Sequence, residues 1–278
     1  MSPDLYNFHS HTQFCDGHAP MEVMARAAAE AGMAVWGFSP HSPICVPSPC
    51  NMSRESVKDY LSETDRLRSL YDGKMEINAG MEVDFLSRDF GPHIDYFQNL
   101  PLDYRIGSIH FVPNQDGIPI DCDGSAERFA RNLKDGFSND LRYVVEKFFE
   151  QELTMIELGG FDILGHFDKI AANASAIDPD IESQGWYESL IRDVARHAAW
   201  KGLSLEINTK AFDTKGRFFP SPRWWEIIAE AYGAGHLADL LSPVPSFRNT
   251  ILVNSDAHYP DKINAGRDAA FKALRAGA

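Results

Sequence analysis

The sequence lacks any apolar run approaching the ~18 residues that a membrane helix needs, so no membrane partner is expected. At its start, Met1-Ser2-Pro3-Asp4, there is no basic stretch followed by an apolar one, and a cytoplasmic location is expected on that ground. Cysteine is scarce: Cys15, Cys45, Cys50 and Cys122, none of them in a Cys-x-x-Cys pair. A chain of 278 residues buries a core without disulfide staples. The four therefore read as free thiols in a reducing compartment. Positive charge is also short, with 26 Lys and Arg against 40 Asp and Glu and a net charge of −14. That balance argues against a nucleic-acid backbone as partner. A small anionic substrate stays compatible, because bound divalent cations reverse the field locally. No linker, composition shift or sequence repeat divides the chain, so a single domain over 1–278 is expected.

What is present is an alternation of short β-like runs with longer helical ones. Strands are expected at Leu5–His9, Ala34–Ser39, Met75–Val83, Tyr104–Ile109, Asp162–Leu164, Leu203–Asn208 and Thr250–Ser255. Helices are expected near 21–31, 53–70, 91–98, 125–158, 183–200, 221–232 and 263–274. Gly32 after the first helix and Pro222 at the start of another are capping signals. Asp116-Gly117 marks a turn, and 233–249 reads as an irregular insertion. Seven strands alternating with helices predict parallel pairing through crossover helices, an α/β barrel.

The chemistry is concentrated in His9-Ser10-His11-Thr12-Gln13-Phe14-Cys15-Asp16-Gly17-His18. Residues two apart on a strand point to one face, so His9 and His11 can grip one ion. Seven of the ten histidines lie at or just past the end of an expected strand. Glu82 and Asp256 hold the same place on the third and seventh strands. In a parallel barrel those ends open onto one face, where active sites are built. One rim would thus collect His9, His11, His41, Glu82, His110, His166, Asp256 and His258. Imidazole with carboxylate suits Zn, Mn or Fe(II) better than Mg or Ca. So many ligands call for two or three divalent ions, with Glu82 as the natural bridge. Cys15 reads as an apolar filler more readily than as a ligand.

The motifs His-Ser-His-Thr…Cys-Asp-Gly-His (9–18), Gly-Phe-Ser-Pro-His-Ser-Pro (37–43), Gly-Met-Glu-Val-Asp-Phe (80–85), Asp-Tyr-Arg-Ile-Gly-Ser-Ile-His-Phe (103–111), Gly-His-Phe-Asp (165–168), Leu-Glu-Ile-Asn-Thr (205–209) and Asn-Ser-Asp-Ala-His (254–258) span most of the chain. Together they resemble the PHP (polymerase and histidinol phosphatase) family of metal-dependent phosphoesterases, and within it the monofunctional histidinol-phosphatase branch. The resemblance implies a distorted (β/α)7 TIM-like barrel of parallel strands, with three metals at its C-terminal rim. It implies His9, His11, Glu82 and Asp256 on the first metal, and Glu82, His110 and His166 on the second. His41, His258 and one residue from Asp16 and His18, with His18 favoured, would hold the third. One departure stands out: Pro40 precedes His41 where the family usually has Asp.

The expected reaction is in-line hydrolysis of a phosphate monoester, with L-histidinol phosphate as the small phosphorylated substrate. Glu82, Asp256 and His258 are the expected catalytic residues, the last two near the leaving alkoxide. Arg105, Lys210 and Arg217 are candidate phosphate-binding cations. Asp84, Asp168 and Glu206 could face the substrate ammonium or be structural. A phosphoesterase for nucleotides or other small esters, a metal-binding or proofreading module, and a barrel that binds without catalysis are competing readings. The sequence leaves a homo-oligomer open.

Overall fold

The computed structural model describes residues 5–242 and 247–277. Nine strands are present among them: β1 (Tyr6–Asn7), β2 (Val35–Phe38), β3 (Glu76–Asp84), β4 (Tyr104–Ser108), β5 (Phe111–Pro113), β6 (Pro119–Asp121), β7 (Ile163–Leu164), β8 (Ser204–Asn208) and β9 (Ile251–Asn254). Seven form one sheet in the order β1-β2-β3-β4-β7-β8-β9, with every pairing parallel. These are the seven strands expected from the alternation, and helices cross between them.

The sheet curls into a nearly closed barrel. Its seam between β1 and β9 is joined by side-chain amides rather than by a full ladder. Phe8 N–H donates to Asn254 Oδ1 at 2.9 Å, and Ser255 N–H donates to Asn7 Oδ1 at 2.7 Å. Past the strand ends, His11 N–H donates to Ala257 O at 2.9 Å. Two asparagines thus supply hydrogen bonds that the backbone leaves unmade at the seam.

The period of two along β3 sorts its side chains. Ile77, Met81 and Val83 pack outward into the apolar cluster with Met21, Met24, Trp36 and Tyr60. Glu82 and Asp84 point the other way, at the end of the strand that opens onto the rim. Inside the barrel floor, Tyr104 hydroxyl donates to Phe8 O. A Cβ on Gly80 would come within 2.2 Å of that ring, so glycine there makes the space. The main core gathers the helices Leu141–Leu158, Gly185–Lys201 and Trp225–Ala231 against the outer face of β4, β7, β8 and β9.

Three local features depart from expectation. The helical region of 125–158 is two helices, Ala126–Phe137 and Leu141–Leu158. Ser138 and Asn139 between them take positive φ of 54° and 62°, and Asp140 then caps the second helix by accepting from Tyr143 N–H. Around the recognised Asp116-Gly117 turn, β5 and β6 form an antiparallel hairpin. A helix at Ile170–Ile177 follows His166 where none was expected. Within 233–249, residues 237–240 form a short 3-10 helix, while 243–246 lie outside the described residues. All four cysteines are unpaired. Among the described residues no helix is long and apolar enough to cross a membrane.

Candidate metal centre

The strand ends deliver their polar side chains to one place. Glu82, 1% exposed, stands at the middle. Its Oε1 lies 2.9 Å from His166 Nε2 and 3.5 Å from His110 Nε2. Its Oε2 lies 3.0 Å from His41 Nδ1, 3.2 Å from His9 Nε2 and 3.5 Å from His11 Nε2. One carboxylate therefore faces two sets of imidazoles with two different oxygens. Asp256 approaches from β9, with Oδ1 3.0 Å from His11 Nε2 and 3.9 Å from His9 Nε2. Its φ of 49° is a left-handed conformation that a non-glycine residue adopts at a cost, as residues at functional sites often do.

The loop after β1 brings in Asp16. Its Oδ1 is 3.3 Å from His258 Nε2, 3.5 Å from His11 Nδ1 and 3.8 Å from His41 Nε2. Gly17 makes this turn possible, since a Cβ there would sit 2.3 Å from Thr12 N. His18 does not join the cluster. Its side chain is exposed and stacks on Tyr259 at 4.2 Å between ring centroids. The preference for His18 on the third metal is thus corrected: the tight turn at Gly17 sends Asp16 inward and His18 outward.

Donor atoms within 4.8 Å of one another define overlapping groups. They are His9, His11 and Glu82; His9, His166 and Asp256; Glu82, His110 and His166; His41, Asp84 and His110; and His11, Asp16, His41 and His258. Several of these atoms are buried and have no hydrogen-bond partner: His9 Nε2, His41 Nδ1, His110 Nε2, Glu82 Oε2 and Asp16 Oδ1. Buried polar atoms are ordinarily paired. Nitrogen and oxygen lone pairs left unpaired and facing one another fit divalent cations that take both donor types.

Outer carboxylates set the rings. His9 Nδ1 donates to Glu206 Oε1 at 2.7 Å, and His110 Nδ1 donates to Asp84 Oδ1 at 2.6 Å. That tautomer, assigned from the hydrogen bonds, leaves each Nε2 free toward Glu82. His258 Nδ1 donates to Asp256 O at 2.9 Å. No carboxylate reaches His41 from Pro40, whose carbonyl instead accepts from Glu82 N–H at 3.1 Å. Burial alone would raise the Glu82 carboxyl, but His41, His9 and His110 hold it well below the usual range. Asp256 is likewise held low against burial, by Lys210 and His9. Burial lowers His41 and His166, keeping these imidazoles neutral and able to ligate. Burial and the neighbouring Asp16 push the Cys15 thiol up to about 12, and Cys15 is in none of the donor groups above.

Beside the cluster lies a cavity of about 340 Å³, lined by Asp16, His41, His110, Asp256 and Lys210 and by a wall of Asp121, Asp123, Arg128 and Lys169. Its size suits a small ligand. Of the three candidate phosphate cations, only Lys210 is here, with Nζ 3.1 Å from His258 Nε2 and 3.5 Å from Asp256 Oδ1. Arg105 is corrected. It sits at the opposite end of β4, where its guanidinium donates to Phe97 O, Gln98 O and Leu100 O and closes the carbonyl end of the helix Asp95–Gln98. Arg217 is corrected too, since its guanidinium is paired with Glu182 at 2.6 Å outside the cavity lining.

Of the acids considered for a substrate ammonium, Asp84 and Glu206 are engaged with the imidazoles of His110 and His9. Asp168 accepts from Ser221 N–H at 2.9 Å. Sequence reasoning missed Lys169, Asp123 and Arg128. Lys169 directly follows the Gly-His-Phe-Asp motif, a signal that could have flagged it. Asp123 and Arg128 belong to the unexpected hairpin and the helix after it.

Known proteins resemble this chain in sequence and in fold. The family model described as "PHP domain" matches residues 7–210. A Deinococcus radiodurans protein named "Probable histidinol-phosphatase" is 28% identical over 98% of this chain and 93% of its own length. The crystal structure of the hisK product of Listeria monocytogenes has a TM-score of 0.78 at 19% identity, covering 95% of this chain and 99% of that one. A Lactococcus lactis histidinol phosphate phosphatase, solved with zinc, L-histidinol and phosphate, has a TM-score of 0.69 at 18% identity, covering 99% and 94%. At these identities the structural likeness concerns the fold.

Proposed function

Because the chain belongs to the PHP domain family, we propose that it is a metal-dependent phosphomonoesterase that hydrolyses L-histidinol phosphate to L-histidinol and phosphate. The observation that carries this reading is the set of unpartnered buried donor atoms around Glu82, opening onto a small cavity with a lysine at its edge. The Deinococcus radiodurans relative and the Lactococcus lactis neighbour support the choice of substrate by their names and, for the latter, its ligands.

Two to three divalent ions, Zn, Mn or Fe(II), would be held by this chain. His9, His11, Glu82 and Asp256 would share one, and Glu82, His110 and His166 a second. Asp16, His41 and His258 would take a third. Zinc has the support of the Lactococcus lactis neighbour. Such ions, when bound, supply positive charge to phosphoryl oxygens and lower the pKa of coordinated water. The chain's own groups do the rest. Glu82 holds the imidazoles at a fixed spacing through its two oxygens. Lys210 Nζ offers a cation to a phosphoryl oxygen at the cavity edge. Asp256 and His258, which flank that lysine, stand beside the leaving alkoxide, which would take its proton from an acid next to them. Asp84 and Glu206 keep the ligand rings from turning.

Steady-state hydrolysis by chelated protein, with Zn, Mn or Fe(II) added back, tests the reading. Turnover restored by metal, with preference for L-histidinol phosphate over p-nitrophenyl phosphate and nucleoside monophosphates, is expected. Equal or better turnover of nucleotides would move the assignment to another small phosphate ester. No turnover of any monoester by metal-loaded protein would end it.

A further inference from the structure

The cavity wall opposite the imidazoles is made by the hairpin return, Asp121-Cys122-Asp123-Gly124, and it is built with care. Cys122 N–H donates to the carbonyl of His110 at 2.8 Å, tying the wall to a strand end of the metal centre. Asn173 Nδ2 donates to Cys122 O at 3.0 Å. Lys169 Nζ lies 2.7 Å from Asp123 Oδ2.

The acids lining this cavity are not equivalent. Asp84 is used on both oxygens, by His110 Nδ1 at 2.6 Å and by Asn51 Nδ2 at 2.9 Å. Asp121 is also used on both: Oδ1 accepts from Asp123 N–H at 2.8 Å, and Oδ2 is paired with Arg128. Asp16 and Asp256 lie among the imidazoles. Asp123 remains, with a single cation on Oδ2 and a side chain 37% exposed to the cavity. Its partner Lys169 is only 14% exposed. Burial alone would lower the Lys169 ammonium, but Asp123, Asp256 and Glu82 raise it above the ordinary lysine range, so the charge is retained beside the metal centre.

L-Histidinol phosphate carries an ammonium on the carbon next to the one that bears the ester oxygen. A site for it needs a cation and an anion a few Å apart. We propose that the Lys169–Asp123 pair divides between the two ends of such a substrate, Lys169 turning to a phosphoryl oxygen and Asp123 receiving the ammonium. The pair then selects 2-ammonioalkyl phosphates as a class. This rests on the phosphomonoesterase reading above and deepens it. The exchange keeps the charge count: one ion pair becomes two, each closed by a group of opposite sign, and no bare charge is left in the cavity.

The test is a ratio. kcat/KM is measured on metal-loaded protein for 2-aminoethyl phosphate against ethyl phosphate, and for L-histidinol phosphate against p-nitrophenyl phosphate. Asp123→Asn is expected to lower both ratios at least ~10-fold, the scale of one charge-assisted hydrogen bond. It should also weaken inhibition of p-nitrophenyl phosphate turnover by L-histidinol by a similar factor. Asp123→Glu, which keeps the charge, should restore part of each. Ratios within twofold of the parent, with all esters scaled alike, would overturn the proposal and leave Asp123 as a mere brace for Lys169. So would a parent enzyme that L-histidinol does not inhibit. A parent that cleaves esters but disfavours L-histidinol phosphate while preferring 2-aminoethyl phosphate would defeat the substrate named above and keep the pair's role.

Discussion

Glu206 and His9, 197 positions apart, meet through Oε1 and Nδ1 at 2.7 Å with both side chains fully buried. The other oxygen of Glu206 accepts from the backbone N–H of His166 at 3.1 Å. One carboxylate on β8 thus orients the His9 ring beyond β1 and fixes the backbone of His166 beyond β7. Burial would raise this carboxyl, but His9 beside it holds it low and ionised.

Glu206→Gln is therefore expected to weaken metal binding 10- to 100-fold, roughly the usual effect of removing such an outer partner. Isothermal titration of the chelated variant with Zn measures it. Parent-like affinity would mean that His9 is held by packing alone.

Glu82→Gln keeps the volume and removes the charge shared by the two imidazole sets. Metal content after gel filtration should fall, and turnover should be abolished. A variant with full metal occupancy and an unchanged rate would reject Glu82 as the bridge.

Lys210→Met removes the cation 3.1 Å from His258 Nε2 while keeping much of the stem. KM for the phosphate ester is expected to rise about 10-fold or more, with weaker inhibition by inorganic phosphate, because one charge-assisted hydrogen bond is lost. Unchanged constants for both would return Lys210 to the role of a surface cation.

Glu152 carries the pH prediction. It is fully buried on the helix Leu141–Leu158, and neither carboxyl oxygen has a hydrogen-bond partner among the described residues. Burial, with Asp168 nearby, raises its pKa well above the usual value. The folded state then keeps a proton that the unfolded chain gives up above pH ~4.5, so stability falls as pH rises through that range. Glu152→Gln has no such proton. Its stability relative to the parent should grow with pH above ~4.5, by up to ~1.4 kcal/mol per unit, until the folded carboxyl itself ionises. Urea unfolding at pH 5, 6 and 7 reads this, and parallel stability curves would show Glu152 ionised in the fold.

The order of elements was legible because periodicity and turn residues are local. Alternation along Ile77–Asp84 and glycines such as Gly32, Gly73, Gly159 and Gly202 mark strands and helix ends without reference to the rest of the chain. The splitting of 125–158 was not, because Ser138 and Asn139 both adopt positive φ without the glycine that would announce it. The β5–β6 hairpin was missed for a different reason. Three-residue strands carry too little pattern, and the hydrogen bond from Cys122 N–H to His110 O that continues their ladder is not written in the local sequence.

The sequence by itself determined the donor chemistry and the rim: imidazoles and carboxylates at strand ends, hence a parallel barrel with candidate metal ligands on one face. Only tertiary structure decided which of them meet. It turned Asp16 inward and His18 outward, sent Arg105 to the far end of β4, and gave Asp84 and Glu206 to the imidazoles of His110 and His9. It also raised Lys169 and Asp123 into the cavity wall. The physical reason is that a side chain's role depends on the direction in which the folded backbone aims it and on the partner already waiting there. Spacing along the chain carries neither.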